Sequence, residues 1–173
     1  MRWFIIISVI IILILFYFRG RIIRKTKLMQ SPFTHFTFDE FDSPDEEGSG
    51  KRHMSHEFIR KLDIARECAG FPFKIEKGGG FRTFPYNKKV GGVKGSSHTK
   101  GLGADIDYKN QEQLEIMLKC LVKVGFTRFG IRWKGSGTSV HVDSDNSKPK
   151  YVIWGYKDKD GNIIEPPNPW SYA

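Results

Sequence analysis

Gly95-Ser-Ser-His98-Thr-Lys-Gly101-Leu-Gly103-Ala-Asp105-Ile-Asp107 sets an imidazole and a carboxylate seven residues apart across two glycines. The run is too flexible for a helix, and it closes in the alternation of a half-buried strand. Such a stretch folds two ligands onto one metal. Zinc takes imidazole nitrogen and carboxylate oxygen together, and a catalytic site needs three protein ligands plus an open position for water. The third ligand is sought in Thr138-Ser-Val-His141-Val-Asp143-Ser-Asp145. There, period-two alternation puts His141, Asp143 and Asp145 on one face and Val140 and Val142 on the other.

Working outward, the 173-residue chain has room for one domain plus appendages. Its formal charge of +9 includes Arg2, Arg19, Arg21, Arg24, Lys25 and Lys27, with no acid among them, so everything after residue 27 carries only +3. A basic face for nucleic acid has little support, and none is expected as a partner.

Residues 3–18 form an apolar run whose only polar side chain is Ser8 before Tyr17. It reads as a transmembrane anchor over 1–18, with Trp3 and Tyr17 at interfacial positions. A cleaved signal peptide fits less well, because bulky Phe16, Tyr17 and Phe18 stand where small residues are needed. Residues 19–35 read as a basic juxtamembrane tether. The cations after the run outnumber those before it, which favours a cytoplasmic C-terminal domain.

Phe36, Phe38 and Phe41 mark a strap on the domain surface, broken at Pro44 and Gly48. Ser55 caps a helix through Cys68 that Gly70 and Pro72 end. Phe71 to Glu76 alternates as a strand into the loop Gly78-Gly-Gly-Phe-Arg82-Thr-Phe-Pro85-Tyr-Asn87. Asn110 to Val124 carries Leu114, Met117, Leu118, Leu121 and Val122 on one helical face. Phe126–Trp133 and Ser139–Asp143 are partner strands, and Tyr151–Tyr156 closes the sheet. The expected fold is α+β, a small antiparallel sheet with flanking helices carrying a zinc site, preceded by the membrane helix.

His35, His53 and His56 read as ordinary surface or core residues, Asp107 and Asp145 as solvated strand-end carboxylates, and Tyr86 and Trp133 as core or rim packing. Cys68 and Cys120 lie on separate helices without C-x-x-C spacing and read as buried free thiols.

Ser96-x-His98-x-x-Gly101-x-x-x-Asp105, followed by His141-Val-Asp143, resembles the zinc murein peptidases: D-alanyl-D-alanine carboxypeptidases and phage L-alanyl-D-glutamate endopeptidases, with the hedgehog signalling domain as a structural cousin. Phe81-Arg82-Thr, Asn87-Lys-Lys-Val-Gly-Gly, Gly125-Phe-Thr-Arg and Val152-Ile-Trp154 are similar to its carboxypeptidase-like phage and prophage branch. The likeness covers residues 36–156, leaving 157–173 as a polar Pro-rich tail. It implies that His98, Asp105 and His141 bind zinc and that Arg82 orients the peptide substrate. Gly103 stands where many members have alanine. Thr138 replaces an acidic general base, for which Asp143, on the same face as His141, is the expected substitute.

The resulting expectation is a membrane-tethered, monomeric zinc metallopeptidase that cuts peptidoglycan stem peptides, as a carboxypeptidase or an endopeptidase. Its substrate calls for the periplasmic or extracellular side, against the flanking charges. The alternatives are a catalytically silent zinc-binding module that recognises wall peptides or a protein, and a structural phage or membrane protein.

Overall fold

A computed structural model describes residues 12–20, 31–134, 137–155 and 170, in two compact units, Met1–Thr37 and Phe38–Ala173. In the first unit residues 12–20 are helical. Further on, the Ser31 hydroxyl donates to the Phe36 carbonyl at 2.7 Å. Among the described residues no helix is long and apolar enough to cross a membrane. Most of the apolar run and of the tether, residues 1–11 and 21–30, lies outside the described residues, as do residue 156 and, in the tail, 157–169 and 171–173.

The second unit opens with a 3-10 turn, Phe38–Phe41, whose last residue is fully buried. The expected strap therefore reaches the core. Asp42 follows, and its carboxylate accepts from the amides of Gly48 and Gly50 at 2.8 and 2.7 Å. It thereby satisfies free N–H groups at the start of helix α1 (Ser49–His53). Helix α2 (His56–Ala69) is capped by the Ser55 side chain, which accepts from the Phe58 amide, and ends at left-handed Gly70. The loop after Gly78 contains a short helix, α3 (Phe84–Lys89), with Thr83 as its cap and proline in its first turn. Helix α4 (Gln111–Lys123) starts at Asn110 and buries Leu114, Met117, Leu118 and Leu121 completely. At about 1.5–3 kcal/mol for each such side chain, this stripe and its counterpart on α2 hold the two helices together.

Five strands form one sheet: β1 (Lys74–Ile75), β2 (Gly103–Tyr108), β3 (Arg128–Lys134), β4 (Gly137–Asp143) and β5 (Val152–Trp154), in the order β1-β2-β4-β3-β5. The expected strand over 71–76 shrinks to two residues, because Pro72 offers no amide to a ladder. The sheet is antiparallel except at β5, which lies parallel to β3. The chain reverses after β4 but passes beyond β3 before pairing, so it runs in the direction of β3.

Cys68 and Cys120 are not free thiols. Their Cα atoms lie 5.8 Å apart and the sulfurs form a disulfide between α2 and α4, closing a separation of 52 residues. Cysteine spacing along the chain carries no information about two helices that meet only on packing. In the chain-entropy picture a loop of this length is worth about 4 kcal/mol.

Candidate metal centre

Two strands and one turn build the site. On β2 and β4, Asp105 and His141 are directly opposed in the ladder. Ala104, Ile106, Val140 and Val142 point to the other face, where each is fully buried. The alternation read from the sequence is therefore realised. His98 comes from a 3-10 turn, Ser97–Lys100, capped by the Ser96 side chain and closed by left-handed Gly101.

The His98 Nε2, His141 Nδ1 and Asp105 Oδ1 atoms form a small triangle. His98 to His141 is 3.1 Å, His141 to Asp105 is 2.9 Å and His98 to Asp105 is 3.3 Å. Ligands placed roughly tetrahedrally at about 2.0–2.1 Å from zinc stand about 3.3 Å apart. Proton bookkeeping supports the same conclusion. The Nδ1 of His98 lies 2.8 Å from the Gly80 carbonyl, which can only accept, so that nitrogen carries the hydrogen and Nε2 presents a lone pair. On His141, Nε2 lies 3.2 Å from Asp143 Oδ2 and donates outward. Three electron-rich atoms thus converge on one point, which a divalent cation fits.

Burial opposes charge on both rings. At His98 it prevails and holds the pKa below the usual imidazole value. At His141 burial is outweighed by the flanking carboxylates of Asp105 and Asp143, and the pKa rises. Burial would raise Asp105 as well, but the two imidazoles hold it well below the usual carboxylate range. A proton between His141 and Asp105 is what a metal ion displaces, so metal affinity will weaken in acid.

The supporting shell is continuous. The Gly80 carbonyl that orients His98 is held by the strap: the Phe81 amide donates to the Phe41 carbonyl at 2.8 Å. A Cβ on Gly80 would stand 2.4 Å from Phe41 Cα, so only glycine permits this approach. Arg82 donates from Nε to the Gly78 carbonyl at 2.5 Å and from Nη2 to Asp105 Oδ2 at 2.6 Å. Trp154 stands beside His141, with ring centroids 5.7 Å apart, and the Arg128 guanidinium lies 5.2 Å over its ring.

Asp143, the general base expected from the sequence, meets His141 at that ring's outer nitrogen. Its carboxylate lies behind His141, bound to that ring's outer nitrogen, to Arg128 Nε at 3.0 and 3.2 Å and to the Asp145 amide at 3.1 Å. Burial would raise its pKa, but His141, the Asp145 amide and Arg128 together lower it. Thr138 lies on the opposite strand face from His141, and its hydroxyl donates to the Tyr108 carbonyl. Asp145 is not a solvated strand end. It is 4 % exposed, and Lys100 engages it at 2.7 Å. Asp107 keeps the expected surface character, facing Lys74 at 3.1 Å. His53 and His56 pack on Phe81 and Phe38, away from the metal ligands.

His98, Asp105, His141, Asp143, Arg82 and Arg128 line a cleft of about 670 Å³ that also receives Arg132 and Lys148. Sequence reasoning missed the Gly80 carbonyl, Arg128 and Lys148. The first is a backbone group with no side-chain signature. The other two reach the cleft from separate elements: Arg128 is marked in the sequence only as the last residue of the Gly125-Phe-Thr-Arg likeness, and no local spacing announces Lys148.

Residues 34–143 match the family Peptidase M15. No curated protein matches the chain. Peptidases of this family are typically zinc-dependent and act on peptidoglycan, which agrees with a His98-Asp105-His141 group suited to one metal ion. On a match that spans well over half its length, the chain belongs to the Peptidase M15 family of zinc murein peptidases.

Proposed function

We propose that the protein is a zinc-dependent peptidase that hydrolyses a peptide bond in the stem peptides of peptidoglycan. The observation that carries this reading is the convergence of His98 Nε2, His141 Nδ1 and Asp105 Oδ1 within 3.3 Å of one another at the wall of an open cleft. Those three residues would hold the ion. Bound zinc supplies Lewis acidity, lowering the pKa of water toward about 7 and polarising a scissile carbonyl. Arg82 fixes Asp105 and directs the rest of its planar fork at a substrate carbonyl or carboxylate. Asp143 acts on His141, keeping its outer nitrogen protonated and its inner nitrogen aimed at the metal, in place of the proton-taking role expected from the sequence.

A second reading rests on one observation. Both carboxylates that line the cleft, Asp105 and Asp143, are engaged by imidazoles and arginines. A zinc-holding module that recognises wall peptides without cutting them fits that arrangement. Purified murein incubated with the zinc-loaded protein, with and without a chelator, separates the two. Release of amines that the chelator abolishes is the expected result, and a zinc-loaded protein that binds murein without releasing amines overturns the enzyme reading. Elemental analysis tests the ligands: His98→Ala and His141→Ala should each lose stoichiometric zinc, and zinc retained in both sinks the assignment.

We also propose that the domain works outside the cytoplasm, held at the membrane by the N-terminal apolar run. The Cys68–Cys120 disulfide supports export, because such bonds persist in oxidising compartments. The exposed Leu13, Leu15, Phe16 and Phe18 of the N-terminal helical stretch support the anchor. Mass spectrometry of membrane-fraction protein, alkylated without reductant, should show the intact N-terminus and no modified cysteine. A mature chain that starts beyond residue 18, or alkylated cysteines, would contradict this.

A further inference from the structure

From Lys77 to Ala104 the chain holds six lysines and arginines and no aspartate or glutamate. Two of these cations are already paired, Arg82 with Asp105 and Lys100 with Asp145. Lys88, Lys89 and Lys94 are exposed, and among the described residues none of them has a carboxylate within ion-pair distance. The Asp45 carboxylate, held below its usual pKa by the Ser43 and Thr83 hydroxyls, feels Lys89 only as a weaker and more distant influence.

The same segment exposes hydrocarbon. Between residues 38 and 150, five large apolar side chains are exposed among the described residues, and three of them are Phe84 at 76 %, Val90 at 47 % and Val93 at 69 %. Single exposed apolar side chains are ordinary, whereas a group of them rimmed by cations marks a contact.

The projection is built in. Val90 caps the end of α3, and Gly91 and Gly95 take left-handed conformations, each with φ 73°, that lysine or valine would resist. The Gly92 amide donates to the Asn87 carbonyl at 2.7 Å. The buried Asn87 side-chain amide donates to the Val93 carbonyl at 3.1 Å, and the Ser96 amide donates to the same oxygen at 3.2 Å. The loop is thereby tied back to the helix with its side chains left outside, and little ordering remains to be done on contact. Phe84 and Lys88 stand one turn apart on α3, whose six residues rise only about 9 Å, so helix and loop together form one short stretch of surface.

We propose that the segment from Phe84 to Gly95 is a contact surface for an anionic lipid bilayer. This rests on the membrane reading above, which keeps the domain near a bilayer, and deepens it by naming a face that meets the lipid. Phe84, Val90 and Val93 enter the boundary between headgroups and acyl chains, while Lys88, Lys89 and Lys94 lay their apolar stems along it and pair with lipid phosphates. The apolar side chains distinguish this surface from a site for a soluble polyanion, which would take the charge and leave the hydrocarbon in water. Gly91, Gly92 and Val93 also line the metal cleft, so the contact sets the cleft mouth beside the membrane.

The test uses full-length protein on vesicles of phosphatidylcholine alone and of an equal mixture of phosphatidylcholine and phosphatidylglycerol, with hydrogen exchange read by mass spectrometry. Peptides covering residues 84–95 should exchange about tenfold more slowly on the anionic vesicles than on the neutral ones, and raised salt should erase most of the difference. A triple variant, Lys88→Gln, Lys89→Gln and Lys94→Gln, should lose the lipid dependence. A double variant, Phe84→Ser and Val90→Ser, should weaken it. Unchanged exchange in α2 and α4 shows that both variants keep the fold. Equal exchange of the segment on the two vesicles overturns the proposal, as does protection by soluble murein fragments without protection by lipid, which would make this a wall-polymer contact. Sedimentation of the same samples reports separately on the anchor: wild type that leaves the neutral vesicles contradicts the N-terminal anchor, and the exchange ratio still decides the segment.

Discussion

Strands β2 and β4 present two faces that are physically opposite, one sealed in the core and one at the wall of the cleft. One carries Ala104, Ile106, Val140 and Val142, all fully buried, and the other carries Asp105 at 2 % exposure and Asp143 at 1 % around the partly covered His141. The apolar face is held by the transfer of hydrocarbon from water. Its contributions scale with area, and volume-conserving exchanges are tolerated. The polar face gains nothing from burial itself, and each group is affordable only because it is partnered. Asp105 has two imidazoles and two arginines, Arg82 and Arg132, and Asp143 has His141, Arg128 and a backbone amide. Residues on the first face should therefore fail singly and in proportion to size, and those on the second should fail as a set.

The largest expected effect lies on the apolar face. Ile106→Ala should cost about 2–5 kcal/mol of unfolding free energy, since the space beneath β2 cannot fully collapse. It should leave zinc stoichiometry intact, because the register that opposes Asp105 to His141 is set by the backbone ladder. Denaturant unfolding of metal-free protein, with elemental analysis of the loaded form, checks both halves. Loss of zinc at undiminished stability would show that the faces are not separable.

A smaller effect of the opposite kind is expected at Asp143. Asp143→Asn keeps the shape but weakens the hold on His141 Nε2, and should cost about ten- to a hundredfold in zinc affinity by chelator competition. Its effect on metal-free stability should be smaller than that of Ile106→Ala. Intact affinity combined with lost turnover would return Asp143 to the proton-transfer role that the strand alternation first pointed to.

The same contrast explains what could be read from the sequence. Alternation is a property of the extended backbone, so Val140, His141, Val142 and Asp143 declared their faces before any tertiary contact was known. The stripes on α2 and α4 did so through helical spacing. Helices α1 and α3 are too short for a period to show, although Thr83 with Pro85 is a capping signal that marks α3. The bond between Cys68 and Cys120, the Gly80 carbonyl behind His98 and the arrival of Lys148 at the cleft all depend on how separate elements pack. Thr138 shows the reverse failing. A three-residue offset from His141 places an acid near the metal only on an irregular strand, and the regular strand here turns position 138 to the other face.

Asp145 sharpens the comparison with the smallest effect, because it continues the polar series past the strand yet serves the loop. Burial would raise its pKa, but Lys100 and the Ser147 hydroxyl and amide overcome that and hold it at about 2, below the usual carboxylate value. A carboxyl depressed in the folded state contributes stability that is present above its unfolded pKa and lost as pH falls through the folded one. The window is therefore between about pH 4 and about pH 2, and the contribution at neutral pH is about 2 kcal/mol. Asp145→Asn should remove that contribution and flatten the acid limb of the stability curve, measured by urea unfolding of chelator-treated wild type and variant. Asp105 and Asp143 remain in both proteins, so the difference between the two curves isolates Asp145. A constant difference from pH 7 down to pH 2 would mean that Asp145 holds the loop by shape alone, without its charge.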